Sequence, residues 1–412
     1  MINSRKIILL LILVIGFLIR TKVWFLGFST DAPYIVLPTS TLGFAALFDP
    51  SIDRGLFSHG HSIYVVYHLY LFPVYGLGVD LENYVFILHH FLAAFTILLI
   101  YMTATRFGSS DAGLLAALVY ACQLQMVLLF NLTAFETAFY FHIALFMYCS
   151  LLCWERASKK RVLLWAITGL MVPLTRPEGA AYPVVSFFVL AFRWMAPRLG
   201  ARRTLAIFLG SALVVLLSGN YFLKQNKEIR EAVFSHHHVG LIYFGTQETP
   251  TELNAHATNL NNNYKTCGIR SRQDPESRNH WYWCTILGVE TIESDPLHYL
   301  YVSSRRLASL FYPSAFRDNF SWKNKLYDRL NMSFIIMGMI FVFVFNIKEK
   351  KYEMIGLILM ALACYIGLSF TEHLWDVRNS LSPQILLIPI ASVGWIRLAS
   401  LTYERFLRPK TA

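Results

Sequence analysis

An acidic residue follows the first apolar stretch of this 412-residue chain almost directly, at Asp31. A carboxylate in that place can act as a general base, because it can accept a proton from a hydroxyl group that attacks a substrate. The structural alternatives are a solvated loop residue or the N-cap of a following helix. Asp31 is therefore the first candidate for a catalytic residue.

A second candidate is the turn Thr-Arg-Pro-Glu-Gly at 175–179, which separates two apolar stretches. Charges beside apolar segments are costly, and they commonly serve a pathway, a partner or a ligand. Arg176 suits a phosphate group, and Glu178 could orient the guanidinium or pair within the site. The structural alternative is an Arg176–Glu178 pair that closes a helical turn.

Glu136 is a lone carboxylate between two strongly apolar stretches. One interpretation is a second acid or base that contacts substrate. The other is a charge at a helix N-terminus, where it stabilises the helix dipole. Both interpretations place Glu136 at the end of a helix.

The short polar segment before the last apolar stretch gathers acid, base, aromatic and guanidinium groups. Arg378 can hold a phosphate through two parallel hydrogen bonds. Trp375 can stack on a sugar, or it can anchor the chain at a membrane surface. His373 and Asp376 lie beside them and are further candidates for substrate binding.

The histidines and cysteines do not predict a metal site. His236, His237 and His238 are consecutive, so their side chains diverge and a shared divalent metal has no ligand spacing to support it. Cys267 and Cys284 share one polar region and would form a disulfide if that region faces an oxidising compartment. Their spacing alone does not determine whether the geometry allows the bond.

The composition indicates that membrane helices carry these residues. Apolar residues make up 56% of the chain and charged residues 15%, whereas soluble domains have roughly 25% charged residues. The net charge of +11 does not indicate nucleic acid binding, because the basic residues form short clusters between apolar stretches. We expect no nucleic acid partner and no water-soluble fold.

Apolar stretches of about 20 residues cross membranes as helices, and we predict about ten of them. They cover residues 7–28, 84–105, 112–130, 138–154, 162–174, 182–195, 205–223, 332–347, 354–370 and 384–401. The predicted fold class is an all-α polytopic membrane protein with interfacial helices and one extracytoplasmic insertion. Residues 1–223 form an N-terminal membrane module with a first outer loop at 29–83, residues 224–328 the insertion and residues 329–412 the C-terminal helices.

The basic clusters predict the orientation, since short cytoplasmic loops carry an excess of Lys and Arg. With ten spans the clusters fall on one side, which places both termini in the cytoplasm. They are Arg5 and Lys6, Arg106, Arg156 to Arg161, Arg193 to Arg203, Lys348 to Lys351, and Arg405 to Lys410. A bacterial inner membrane is the first choice of location and the endoplasmic reticulum the second. Arg20 and Lys22 would then extend to lipid headgroups or help to hold a lipid phosphate.

These features together resemble the GT-C superfamily of integral membrane glycosyltransferases. The shared order is an acidic residue after the first span, Phe-Glu-Thr at 135–137, the Thr-Arg-Pro-Glu-Gly turn, and a late Arg before a Pro and a final span. Within the superfamily, the pattern is similar to the bacterial arabinofuranosyl- and mannosyl-type branch. The likeness spans most of the chain, although each motif is short.

The resemblance implies an inverting hexosyl- or pentosyltransferase that uses a polyprenyl-phosphate sugar as donor, and it leaves a dependence on a divalent metal open. Asp31 would be the base and Arg378 a ligand of the carrier phosphate. The acceptor would be a glycan, a lipid or a protein, held by residues 224–328 because the family's C-terminal soluble domain is missing. Asp31 lacks the paired acidic neighbour common in the family, which leaves Asp49 and Asp53 as alternative bases.

Three other classes would use similar residues. A transporter or flippase for lipid-linked sugars would need basic and aromatic groups but no catalytic base, and such proteins often contain inverted repeats, which are not evident here. An O-antigen polymerase or ligase would use the same carrier. A non-catalytic assembly subunit would not depend on the acidic residues.

Overall fold

A computed structural model shows how the chain folds. It describes residues 4–25, 69–70, 73, 78–123, 126–127, 136–226, 266–267, 269, 280–311, 322–345, 351–371 and 377–404. All regular elements among these residues are helical, which confirms the all-α fold class.

The helices are numbered here in chain order. The first seven are α1 (Ser4–Phe25), α2 (Leu81–Phe107), α3 (Ser110–Ala121), α4 (Glu136–Glu155), α5 (Lys159–Thr175), α6 (Ala181–Leu199) and α7 (Ala201–Gln225). The others are α8 (His280–Ser294), α9 (Pro296–Phe311), α10 (Trp322–Val344), α11 (Lys351–Thr371) and α12 (Val377–Thr402). A short 3-10 turn, Pro177–Ala180, joins α5 to α6.

Five helical segments of the described chain are long and apolar enough to cross a membrane. They are Ser4–Phe25, Asn83–Phe107, Glu136–Glu155, Tyr352–Ser369 and Leu381–Thr402. Two of the predicted spans correspond to shorter helices, because α3 has 12 residues and α5 has 17. The count of ten spans therefore stays a prediction, as does the extracytoplasmic insertion.

The chain divides into two compact units. The first unit is Met1–Ser186, Tyr327–Cys364 and Ser380–Ala412, and the second is Phe187–Leu326 and Tyr365–Asn379. The predicted division at residues 223 and 328 stays a prediction.

Helices of the first unit expose many apolar side chains, and they also bury several polar ones. Helix α1 exposes apolar side chains such as Leu10 and Leu18, while its Arg20 is buried. Polar side chains are also buried on α2 and α4, at His89 and His142. A lipid environment requires that apolar side chains face outward and that polar groups inside the protein are hydrogen-bonded.

Ion pairs show which helix ends in the first unit lie together. Arg5 at the start of α1 pairs with Asp111 at the start of α3, with 3.1 Å between nitrogen and oxygen. Arg106 at the end of α2 pairs with Glu155 at the end of α4. The connections α2–α3 and α4–α5 are short, so these five helix ends form one end of the unit, here named the basic end.

The other ends of the same helices meet at what we name the opposite end. Trp24 of α1 packs on Phe86 of α2 with ring centroids 5.3 Å apart, and the start of α4 meets the end of α5 through Glu136 and Arg176. Helices α1 to α5 therefore alternate in direction. The basic cluster Arg156 to Arg161 lies at the basic end, as the alternation of spans predicted.

From Tyr327 and Ser380 onward, α10 and α12 belong to the first unit. The Tyr327 hydroxyl of α10 donates to the Cys122 carbonyl after α3, at 2.5 Å. On α12, Gln384 bonds to Gln123 of the same connection, while Val393 packs near Gly108 at the basic end.

In the second unit, Cys267 and Cys284 form the disulfide that spacing left open. Their Cα atoms are 5.2 Å apart, and both residues are buried. Helices α6 and α7 pack through aromatic side chains, with the Phe188 and Phe208 centroids 5.5 Å apart. Gly200 connects these two helices with a φ of 82°, which glycine adopts without a steric penalty.

Candidate functional site

The predicted site residues fall into three groups. Glu136 and Arg176 have described side chains, and the structure brings them together. Asp31, Asp49, Asp53, His373 and Asp376 lie outside the described residues. The backbones of Glu178 and Arg378 are described, in the 3-10 turn and in the first turn of α12, but their side chains lie outside the described part.

Glu136 and Arg176 form a buried ion pair across two helices. Arg176 Nη1 lies 3.6 Å from Glu136 Oε1, with 12% and 3% of the two side chains exposed. The guanidinium also lies over the Phe139 ring, 5.4 Å from its centroid. The sequence left two roles open for Glu136, and its position as first residue of α4 serves the helix dipole as well as the pair.

The sequence of the turn explains why Arg176 sits where it does. A residue before proline avoids the helical region, and Arg176 is extended, with φ −151° and ψ 128°, before Pro177. Helix α5 therefore ends at Thr175. A Cβ at Gly179 would lie 2.6 Å from Val172 Cγ1 and 2.9 Å from Phe139 Cε2, so the turn packs closely only with glycine there.

The pair can serve an anionic ligand. A charge-assisted hydrogen bond has a length of about 2.7–2.9 Å, so 3.6 Å is ion-pair contact rather than a tight bidentate clamp. Arginine presents a planar set of donors that matches the oxygens of a phosphate. A phosphate could therefore bind to Arg176 while Glu136 continues to balance and orient the cation.

Next to this pair is a chain of hydrogen bonds that sequence reasoning missed. His142 Nε2 lies 2.9 Å from the Tyr70 hydroxyl, and its Nδ1 lies 2.9 Å from Thr175 Oγ1. His142 and Thr175 are buried. The sequence feature that could have predicted this site is His142 itself, because an ionisable residue inside an apolar span is by default a candidate functional residue.

Burial and the nearby Tyr84 raise the pKa of Tyr70 to about 12. Tyr70 is consequently a neutral phenol near pH 7 and can donate its proton in a hydrogen bond. Its backbone is held as well, because the Tyr84 hydroxyl donates to the Tyr70 carbonyl at 2.7 Å. Tyr70 is thus tied to both α2 and α4.

Buried polar groups also surround the end of α3. Arg20 Nη1 donates to the carbonyls of Gly16 at 3.1 Å and Ala121 at 3.2 Å, and the guanidinium lies 5.6 Å from the Tyr120 ring centroid. Only 2% of Arg20 is exposed. The prediction that Arg20 extends to lipid headgroups is therefore wrong, because the carbonyls at a helix C-terminus attract the cation inward.

An amide cluster completes this region. The Gln384 side-chain oxygen accepts from Gln123 Nε2 at 2.5 Å and from Asn331 Nδ2 at 3.0 Å. Two residues earlier in α12, the hydroxyls of Ser382 and Tyr182 are 2.9 Å apart, which joins α12 to the start of α6. These residues of α12 therefore contact both the connection after α3 and the start of α6.

Within the described part of the chain, no three His, Cys, Asp or Glu side chains form a group that could hold a metal ion. The consecutive histidines 236–238 lie outside that part. Compared with known proteins, the chain matches no protein family and no curated protein.

Proposed function

We propose that this chain is a membrane glycosyltransferase of the GT-C type, which moves a sugar from a polyprenyl-phosphate carrier to a glycan, lipid or protein acceptor. The reaction takes place on the extracytoplasmic side of a bacterial inner membrane. The basic end faces the cytoplasm together with both termini, in agreement with the charge rule for membrane proteins.

The buried pair of Arg176 and Glu136 is the observation that carries the proposal. It lies at the end of the first unit opposite the basic clusters. A cation at membrane depth is costly and is retained for a ligand or a partner. A lipid phosphate suits it, because the prenyl tail would remain among apolar helices while the phosphate reaches the guanidinium.

The proposed reaction is an inverting displacement. The hydroxyl oxygen of the acceptor attacks the anomeric carbon of the sugar, and the bond from that carbon to the phosphate oxygen breaks. The hydroxyl proton passes to Asp31, and the electron pair leaves with the phosphate. Arg176 and Arg378 stabilise the charge that develops on the leaving phosphate, and His373, Asp376 and Glu178 contact the sugar or acceptor.

Cells that carry Asp31→Asn or Arg176→Gln test the proposal against wild-type cells at matched membrane levels. We expect both variants to accumulate the lipid-linked donor and to lack one sugar on the finished surface glycan. The Asp31 variant loses the base and the Arg176 variant loses charge stabilisation, each with a rate loss of about 100-fold or more. Mass spectrometry of extracted lipids and of the glycan measures both pools.

Arg106→Gln is the matched control, because it removes an arginine from the other Arg–Glu pair, at the basic end. Its lipid and glycan pools should equal those of the wild type. Unchanged pools in Asp31→Asn and Arg176→Gln would contradict the proposal and favour a transporter or an assembly subunit. If the protein were a polymerase or ligase, the glycan of the two variants would lack whole repeat units rather than one sugar.

A further inference from the structure

The hydrogen bonds around His142 have a defined direction. The Thr175 hydroxyl carries one proton and donates it to the Met171 carbonyl at 2.8 Å. Its contact with His142 Nδ1 must therefore be a bond in which Nδ1–H donates to Thr175 Oγ1. In the neutral ring Nε2 is then an acceptor, and it accepts the proton of the Tyr70 hydroxyl.

This series of hydrogen bonds ends beside Arg176, the proposed phosphate ligand. Thr175 is the last residue of α5, and Arg176 follows it directly. His142 lies on α4, the helix that also carries Glu136 and Phe139 beneath the guanidinium. His142 therefore links α4, which packs against the guanidinium, to Thr175, the residue that precedes Arg176.

We infer that His142 is a positioning residue that holds Arg176 in place for the carrier phosphate, acting through its Nδ1–H bond to Thr175. The inference rests on the proposed role of Arg176 as a phosphate ligand. The Tyr70 bond holds the imidazole ring in the required tautomer and links Tyr70 to the same site.

Small displacements matter in such a site. Ligand-binding groups must be held to within about 0.5 Å, and a locked neighbouring rotamer is one way to achieve this. Without the Nδ1–H bond, Thr175 keeps its bond to Met171 but loses its link to α4. The last turn of α5 and the guanidinium after it then lose one of their lateral restraints.

Two amide substitutions separate the two bonds of the histidine. In His142→Asn, the side-chain NH2 group takes the place of Nδ1–H and keeps the link to Thr175. In His142→Gln, the longer amide reaches the place of Nε2 and keeps the link to Tyr70 instead. The purified full-length variants are placed in lipid nanodiscs, and polyprenyl phosphate binding is measured, with the uncharged polyprenol as reference.

We expect His142→Gln to weaken polyprenyl phosphate binding about tenfold and His142→Asn to weaken it less than about threefold. Polyprenol binding should be equal in all variants, because it reports the apolar site alone. Equal losses in the two variants, no loss in either, or the reverse order would overturn the inference. A purely structural role would lower the unfolding temperature of both variants and leave phosphate selectivity unchanged.

Thr175→Val tests the same bond without altering the imidazole. Its matched control is Thr168→Val, because the Thr168 hydroxyl makes the same kind of bond to the carbonyl four residues earlier, at 2.7 Å in the same helix. Thr175→Val should weaken phosphate binding about as much as His142→Gln, while Thr168→Val should not. Equal binding by both threonine variants would overturn the inference.

The same experiment separates this inference from the proposed function. Arg176→Gln must abolish the preference for polyprenyl phosphate over polyprenol if Arg176 is the ligand. If it does not, the proposed role of Arg176 and the inference both fail. If it does, while the His142 and Thr175 variants bind like the wild type, only the inference fails.

Discussion

Arginine and glutamate pair at both ends of the first unit, yet the two pairs differ in their surroundings. The Arg106 and Glu155 side chains are 31% and 19% exposed, whereas Arg176 and Glu136 are 12% and 3% exposed. Burial lowers the effective dielectric, which strengthens the attraction and raises the cost of a charge without its partner. The same two residue types should therefore contribute differently to stability.

Replacing the carboxylate in each pair measures this difference. We expect Glu136→Gln to destabilise the protein by about 3 kcal/mol, because it leaves the buried Arg176 without its countercharge. Glu155→Gln should cost less than about 1 kcal/mol, since water screens the remaining charge. Fluorescence-detected size-exclusion chromatography in detergent measures the midpoint of thermal unfolding. The two midpoints show which variant loses more stability.

Adding Arg176→Gln to Glu136→Gln should recover part of the lost stability, because the uncompensated charge is then removed. A larger fall in unfolding temperature for Glu155→Gln than for Glu136→Gln would show that burial does not govern the two pairs.

At the scale of elements, α10 and α12 approach each other unusually closely at two glycines. A Cβ at Gly394 would lie 1.9 Å from the Gly338 carbonyl oxygen, and a Cβ at Gly338 would lie 2.5 Å from that of Ala391. Small residues at such crossings let helix backbones touch, as is common among membrane helices. This contact positions α12, which carries Ser382 and Gln384 at its other end.

Gly394→Ala should force these helices apart and destabilise the protein by about 1–3 kcal/mol, the usual cost of overpacking. Gly210→Ala in α7 is the control, since a Cβ there meets no atom within 4 Å. It should stabilise α7 by about 0.5–1 kcal/mol through a lower entropy cost of folding. Thermal unfolding of both variants checks this, and equal shifts would contradict the close contact.

At the scale of the whole molecule, helix direction and charge determine the expected orientation. Val79 before α2 lies at the opposite end, and Ala157 between α4 and α5 lies at the basic end. Both are exposed. The described free cysteines are buried or half-buried, so they contribute little background to a labelling experiment.

Cysteine introduced at these two sites tests which end faces the cytoplasm. A membrane-impermeant maleimide should label Val79→Cys in intact spheroplasts, and it should label Ala157→Cys only after lysis. The physical reason is the excess of Lys and Arg at the basic end, which retains those loops in the cytoplasm. Labelling of Ala157→Cys in intact spheroplasts would reverse the orientation and move the proposed site to the cytoplasmic side.

The sequence by itself determined features that depend on local composition and on neighbouring residues. Runs of apolar residues predicted the five helices that are long and apolar enough to cross a membrane, since length and hydropathy are local properties. The predicted span 162–174 ends one residue before α5 does, because Pro177 keeps Arg176 out of the helical region. In the first unit, the clusters at Arg5, Arg106 and Arg156 to Arg161 predicted which helix ends lie together.

Only the tertiary structure decided which distant residues meet and which way they point. Arg176 pairs with Glu136 of another helix, and His142 reaches Tyr70 and Thr175, which lie 72 and 33 residues away in the chain. Arg20 turns inward to the end of α3. Helix rotation and packing determine such contacts. A polar group buried among membrane helices must find a partner on a neighbouring helix. The sequence alone does not say which helices are neighbours.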